Sequence, residues 1–200
     1  MELISKALFW VANSLLIPDI ILLLLLFGRS ILHIGSIYNQ YIIKRKIDKV
    51  LSEPIKTLTT ESLDSLWEHI PSGVNSLFIA YLKDLLTSPS SENYSDYLLS
   101  EFENRAEKDL SLPRMLTKLG PILGLMGTLI AMSPALVGLS TGDISGMAYN
   151  MQIVFATTVV GLVISAIGWM TLQLKQRWYA AELNKLDYVA KTLQQKTEAL

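Results

Sequence analysis

Three hydroxyls stand where charge does not: Thr128, Thr157 and Thr158 lie inside long apolar runs of a 200-residue chain. A threonine so placed ordinarily bonds back to a carbonyl of its own helix. Alternatively it offers its hydroxyl to a water-lined path, passing protons along bound water without storing one near neutral pH. Other chemistry is hard to build from these residues. Cysteine is absent, which excludes disulfides, thiolate metal sites and cysteine nucleophiles together. The two histidines, His33 and His69, have no further ligand pattern beside them, so no metal is expected. A phosphate-binding loop, a dinucleotide fingerprint, an HExxH pair and a Gly-x-Ser-x-Gly elbow are all missing from the sequence. Neither a cofactor nor an enzyme active site is expected.

The elements that must position those hydroxyls are membrane helices. Half of the residues are hydrophobic and 18% are charged, against about 25% in soluble domains. The net charge of −1 gives no footprint for nucleic acid. A helix needs about 20 apolar residues to cross the hydrocarbon core. Leu119 to Gly142 and Ile144 to Leu174 exceed that length without an acidic, basic or histidine residue. Ser140, Thr141, Gly142, Asp143 and Ser145 have turn composition, so the two runs read as a helical hairpin over residues 115–174. A first span is expected over 18–43, begun by Pro18, with Arg29 and His33 inside it or near a headgroup region. Residues 1–17 read as a short amphipathic segment on the membrane surface, 44–114 as a cytoplasmic helical segment, and 175–200 as a cytoplasmic C-terminal helix. The expected fold is all-α, a polytopic membrane protein with three transmembrane helices and helical cytoplasmic extensions. Orientation follows the basic residues. Lys44, Arg45, Lys46 and Lys49 follow the first span, Arg114 and Lys118 precede the second, and Lys175 and Arg177 follow the third. The expected topology is N-terminus outside and C-terminus in the cytoplasm, in a plasma (inner) membrane.

Small residues form stripes on both hairpin helices. Gly120, Gly124, Gly127, Ala131, Ala135 and Gly138 recur every three or four positions, as do Gly146, Asn150, Val154, Thr157, Gly161, Ser165 and Gly168. In lipid, close backbone approach rather than apolar burial associates helices. The stripes, with Gly120, Gly124, Gly127, Ala131, Gly161 and Ser165 as their main packing positions, suit contact within the hairpin or between copies of the chain.

Taken together, Gly120-Pro121-x-x-Gly124-Leu125-x-Gly127-Thr128 and Thr158-x-x-Gly161-Leu162 resemble the MotA/TolQ/ExbB proton channel family. The resemblance spans roughly Leu112 to Lys175, and three spans with one cytoplasmic middle segment are similar to its TolQ/ExbB branch. It implies a ring-forming homo-oligomer, a pentamer, around a single-span partner of the ExbD/TolR/MotB type with an intramembrane Asp. It also implies that Thr128 and Thr158 face the ion path, with Thr157 beside them. The residues agree with that division of labour, since no acid in the second or third span could hold a transported proton. Two positions depart from the family pattern: Ile153 stands where ExbB-like members carry an acid, and Ile167-Gly168 where they tend to have proline. The expected function is a pore-ring subunit of a proton-driven, or sodium-driven, energy transducer. A non-conducting oligomeric scaffold in the lipid bilayer is the alternative.

Overall fold

The computed structural model describes residues 2–59, 63–71, 76–87 and 92–198. Every regular element among them is helical: α1 (Glu2–Lys56), α2 (Leu63–Leu66), a 3-10 turn (Trp67–His69), α3 (Leu77–Thr87), α4 (Glu92–Thr141) and α5 (Ile144–Glu198). Three of these helices, α1, α4 and α5, are long and apolar enough to cross a membrane. The chain divides into two compact units, the first made of Met1–Gly35 with Leu112–Leu172, the second of Ser36–Ser111 with Gln173–Leu200.

The N-terminus differs from the expected segmentation. Residues 1–17 are not a separate surface piece, and Pro18 does not begin a helix, because α1 runs unbroken from Glu2. Leu8, Phe9, Ala12 and Asn13 share a cleft with Leu129, Ile130 and Ser133 of α4. The apolar residues before Pro18 therefore have a helical neighbour, and tertiary contact carries the helix through the proline.

In the first unit, Leu23, Leu26, Leu116, Leu123 and Ile164 form a buried cluster with Phe27, Leu112, Leu119 and Val160 against it. The turn between α4 and α5 is built from a few residues. Gly142 takes φ +77°, the left-handed conformation that ends helices at low cost. The Asp143 N–H donates to the Gly138 carbonyl at 2.8 Å, and the Gly142 N–H to that of Leu139 at 3.3 Å. Asp143 then caps α5 by accepting the Gly146 N–H at 2.9 Å on Oδ1. The one acid between the two apolar runs is thus a helix cap.

Helix α4 contains Pro113, Pro121 and Pro134. Proline lacks an N–H, so Pro121 leaves the Thr117 carbonyl without its helical donor. Ser165 of α5 supplies the replacement: its Oγ donates to the Thr117 carbonyl at 3.0 Å. The Thr117 hydroxyl donates in turn to the Pro113 carbonyl at 2.9 Å.

The second unit has its own core. Ile47, Leu51 and Ile55 of α1, Phe78 and Leu82 of α3, Leu98 and Phe102 of α4, and Leu186, Val189 and Ala190 of α5 pack into one cluster. Leu82, Phe102 and Leu186 are essentially inaccessible to solvent. The expected C-terminal helix is the end of α5, and its stripe through Leu186 and Ala190 is buried in this core.

The proline–serine pairing has a measurable signature. S165A should destabilise the detergent-solubilised protein by about 1 kcal/mol, the scale of an interhelical hydrogen bond in a membrane protein. In a P121A background, where residue 121 regains its N–H, the same change should cost close to nothing. Unfolding titrations of the four proteins check the cycle.

Candidate functional site

Within the first unit, α4 and α5 lie antiparallel along a seam of small residues. A Cβ built on Gly161 would meet the Gly120 carbonyl oxygen at 2.5 Å and the Gly124 Cα at 2.9 Å, and one on Gly120 would meet the Gly161 carbonyl oxygen at 2.5 Å. The two backbones touch where side chains would ordinarily hold them apart. Gly168 approaches the Thr117 amide equally closely, and Ala131 and Ala135 are fully buried.

Thr157 belongs to this seam. A Cβ on Gly127 would fall 2.8 Å from both Cβ and Oγ1 of Thr157, so the threonine fills the gap that the glycine leaves. Its hydroxyl is directed at the Ile153 and Val154 carbonyls, at 3.0 and 3.1 Å. Thr157 is 4% exposed.

Thr128 and Thr158 lie elsewhere on their helices, and each is only half-buried. At about 100° per residue, Thr128 is rotated roughly 70° from the small-residue line of α4, and Thr158 roughly 80° from that of α5. Because the helices run in opposite directions, both rotations lead to the same flank of the hairpin. The opposite flank, with Leu116, Leu119, Leu123, Val160 and Ile164, packs on α1. The Thr128 hydroxyl donates to the Leu125 carbonyl at 2.7 Å, and that of Thr158 to the Val154 carbonyl at 2.9 Å. Each oxygen keeps acceptor capacity for a further donor such as water. Around them on this flank Leu125, Met132 and Trp169 are exposed.

The second unit holds a polar cluster that sequence reasoning did not single out. Lys175 is 1% exposed, and its Nζ donates to Oδ2 of Asp109 at 2.5 Å. The Tyr179 hydroxyl donates to the same oxygen at 2.6 Å. Burial, aided by the Asp109 carboxylate beside it, pushes the Tyr179 phenol well above its ordinary range. Lys44 reaches Glu182 at 2.6 Å and lies 5.9 Å from the centre of the Trp178 ring, which stacks on Tyr41. These groups line a cleft of about 730 Å³ together with Gln40, Arg105 and Lys108. Lys175 served the sequence reading only as a topology marker. The Lys175–Asp109 pair joins positions 66 residues apart, which no local pattern reveals. Among the described residues no cluster of His, Cys, Asp and Glu could hold a metal ion.

A seam of glycines, two threonines turned to one flank and a first helix on the other describe the hairpin. Residues 69–187, more than half of the chain, match the family model of the MotA/TolQ/ExbB proton channel family. The chain belongs to that family. Comparison with curated proteins and with solved structures gives no match. The matched stretch holds α3, the whole hairpin and most of α5, and thus Thr128, Thr157, Thr158 and the seam. It leaves out α1. As a MotA/TolQ/ExbB protein with three long apolar helices, the chain is a multi-pass helical membrane protein of proton-channel type, in a family of ion channels and transducers rather than enzymes.

Electrostatics in the second unit give a pH signature. Burial raises the Glu182 carboxyl above its ordinary value of 4.5, and the neighbouring Lys44 offsets only part of this. The native state then holds that proton more tightly than the unfolded chain, so stability falls as pH rises from 4.5 through the raised value. E182Q should remove this fall. Thermal unfolding of the solubilised protein across that interval, wild type against E182Q, checks it.

Proposed function

We propose that this protein is a pore-ring subunit of an ion-driven membrane energy transducer, and that Thr128 and Thr158 line its ion path. The observation that carries the reading is the placement of both threonines on the hairpin flank that α1 leaves uncovered. In a ring of copies, that flank is available to face a central space or the next protomer. Thr157, expected beside them, has the surroundings of a packing residue, and we assign it to the seam.

Hydroxyls relay but do not store a proton, so the driving carboxyl must come from outside the hairpin. A single-span partner of the ExbD/TolR/MotB type with an intramembrane Asp supplies it in this reading, inside a ring of several copies of the chain, a pentamer as the family pattern implies. Each elementary charge that crosses 100 mV releases about 2.3 kcal/mol, enough to bias one step in the partner's movement. Protons are the transported ion; the hydroxyl and carbonyl oxygens would accept sodium as well.

The basic residues that flank the spans support an N-terminus outside and a C-terminus in the cytoplasm of an inner membrane. The packing of α1 supports a first span earlier than 18–43. Leu8 through Asn13 lie beside Leu129 to Ser133, and the first unit ends at Gly35, which favours a crossing from about Leu8 to Ile34.

The decisive variant is T158V, which keeps the shape and removes the hydroxyl. Reconstituted with its partner, it should assemble like wild type and conduct about tenfold less, the equivalent of ~1.4 kcal/mol lost in the conducting step. Unchanged flux would remove Thr158 from the path. Rings that form but conduct nothing with any single-span partner would favour the scaffold instead.

A further inference from the structure

One carboxyl in the first unit has no place in that reading. Asp19 is 4% exposed, and neither of its oxygens has a hydrogen-bond partner. It falls on one line of α1 with Leu23, Leu26, Ser30 and His33, all of them buried. Leu23 and Leu26 pack against Leu116 and Leu123, while Leu8 to Asn13 lie beside Leu129 to Ser133. The helices α1 and α4 are therefore antiparallel, and this register sets Asp19 level with the turn from Leu123 to Met126. Gly124 in that turn touches Thr157, Thr158 and Gly161. Asp19 thus sits at the depth of the hydroxyls, on the other side of the seam.

No counter-charge faces it. On α1 the nearest ionisable side chains are Lys6 and Arg29, at least about 15 Å away along the axis at 1.5 Å per residue. His33 is farther still. From Leu119 to Gly142, α4 offers no ionisable group, and Lys118 and Arg114 precede that stretch by one and two turns. On α5, Tyr149 is exposed near the turn and Asp143 is occupied with its cap. An ionised carboxylate among leucines without a donor is strongly disfavoured. A neutral acid there still lacks the partners that buried polar groups normally have, and leucine would fill the position better. Packing therefore does not account for Asp19, and an unpartnered acid at membrane depth points to function.

We propose that Asp19 is a proton-binding site belonging to this chain, a neutral carboxylic acid at rest that exchanges its proton during ion flow. In the exchange the carboxyl O–H bond breaks and the proton passes to a water admitted from the path; no electrons are transferred. The resting proton stands on the geometry alone, whereas the exchange rests on the channel reading.

Two measurements test it. In reconstituted wild-type complex, the infrared difference against D19N should contain the C=O band of a protonated carboxylic acid; carboxylate bands in its place would overturn the site. Proton flux through D19N should fall by about a hundredfold, the usual scale for removing a proton-transfer group, with ring size unchanged. Wild-type flux in D19N would overturn the exchange. D19L separates function from structure: it should assemble with equal or greater thermal stability yet fail to conduct, and a marked loss of stability would make Asp19 structural instead. If the wild-type complex itself does not conduct, the channel reading and the exchange fall together, and the infrared difference still decides the resting proton.

Discussion

Backbone contact between α4 and α5 at Gly120 and Gly161 is the constraint on which the rest of the first unit depends. In a lipid environment leucine gains little by leaving the solvent, so two helices associate through the closeness of their backbones. That closeness exists only where no Cβ intervenes. Once the glycine lines face each other, the rotation of both helices is set. Thr157 enters the gap at Gly127, Ser165 meets the carbonyl that Pro121 leaves open, and Thr128 and Thr158 are carried to one outer flank. The helix pair thus decides which hydroxyls are spent on packing and which remain available.

The same constraint assigns the proline a role. Pro121 follows Gly120 directly, where the backbones touch, and the freed Thr117 carbonyl lies within reach of Ser165 because of that approach. Proline in a spanning helix is tolerated when a neighbouring side chain satisfies the carbonyl. Glycine contact, proline and serine here form one local device, which explains why the Gly-Pro pair and a later serine occur together.

Much of this was legible in the residues. The apolar runs foretold the helices α4 and α5, the Gly142-Asp143 turn composition foretold the break between them, and the glycine-threonine spacing pointed to the family. What was not legible depends on contacts distant in sequence. Nothing near Ser165 indicates a bond to Thr117, 48 positions away, and nothing near Lys175 indicates Asp109. Asp19 was read as the polar edge of an apolar run because Pro18 beside it has the chemistry of a helix start. Only the packing of residues 8–13 on α4 shows that the helix begins earlier and that the acid lies inside it. The buried stripe of α3, from Phe78 to Leu85, was hidden in a segment whose charges suggested a solvated surface.

The central claim, that the flank bearing Thr128 and Thr158 borders water while the α1 flank does not, can be read directly because the chain has no native cysteine. Single variants T128C, T158C and L123C, assembled with the partner in membranes, are treated with a charged, membrane-impermeant thiol reagent that reacts only with thiolate reached by water. The account predicts modification at T128C and T158C and none at L123C. Protection of T128C and T158C, or labelling at L123C instead, would contradict it.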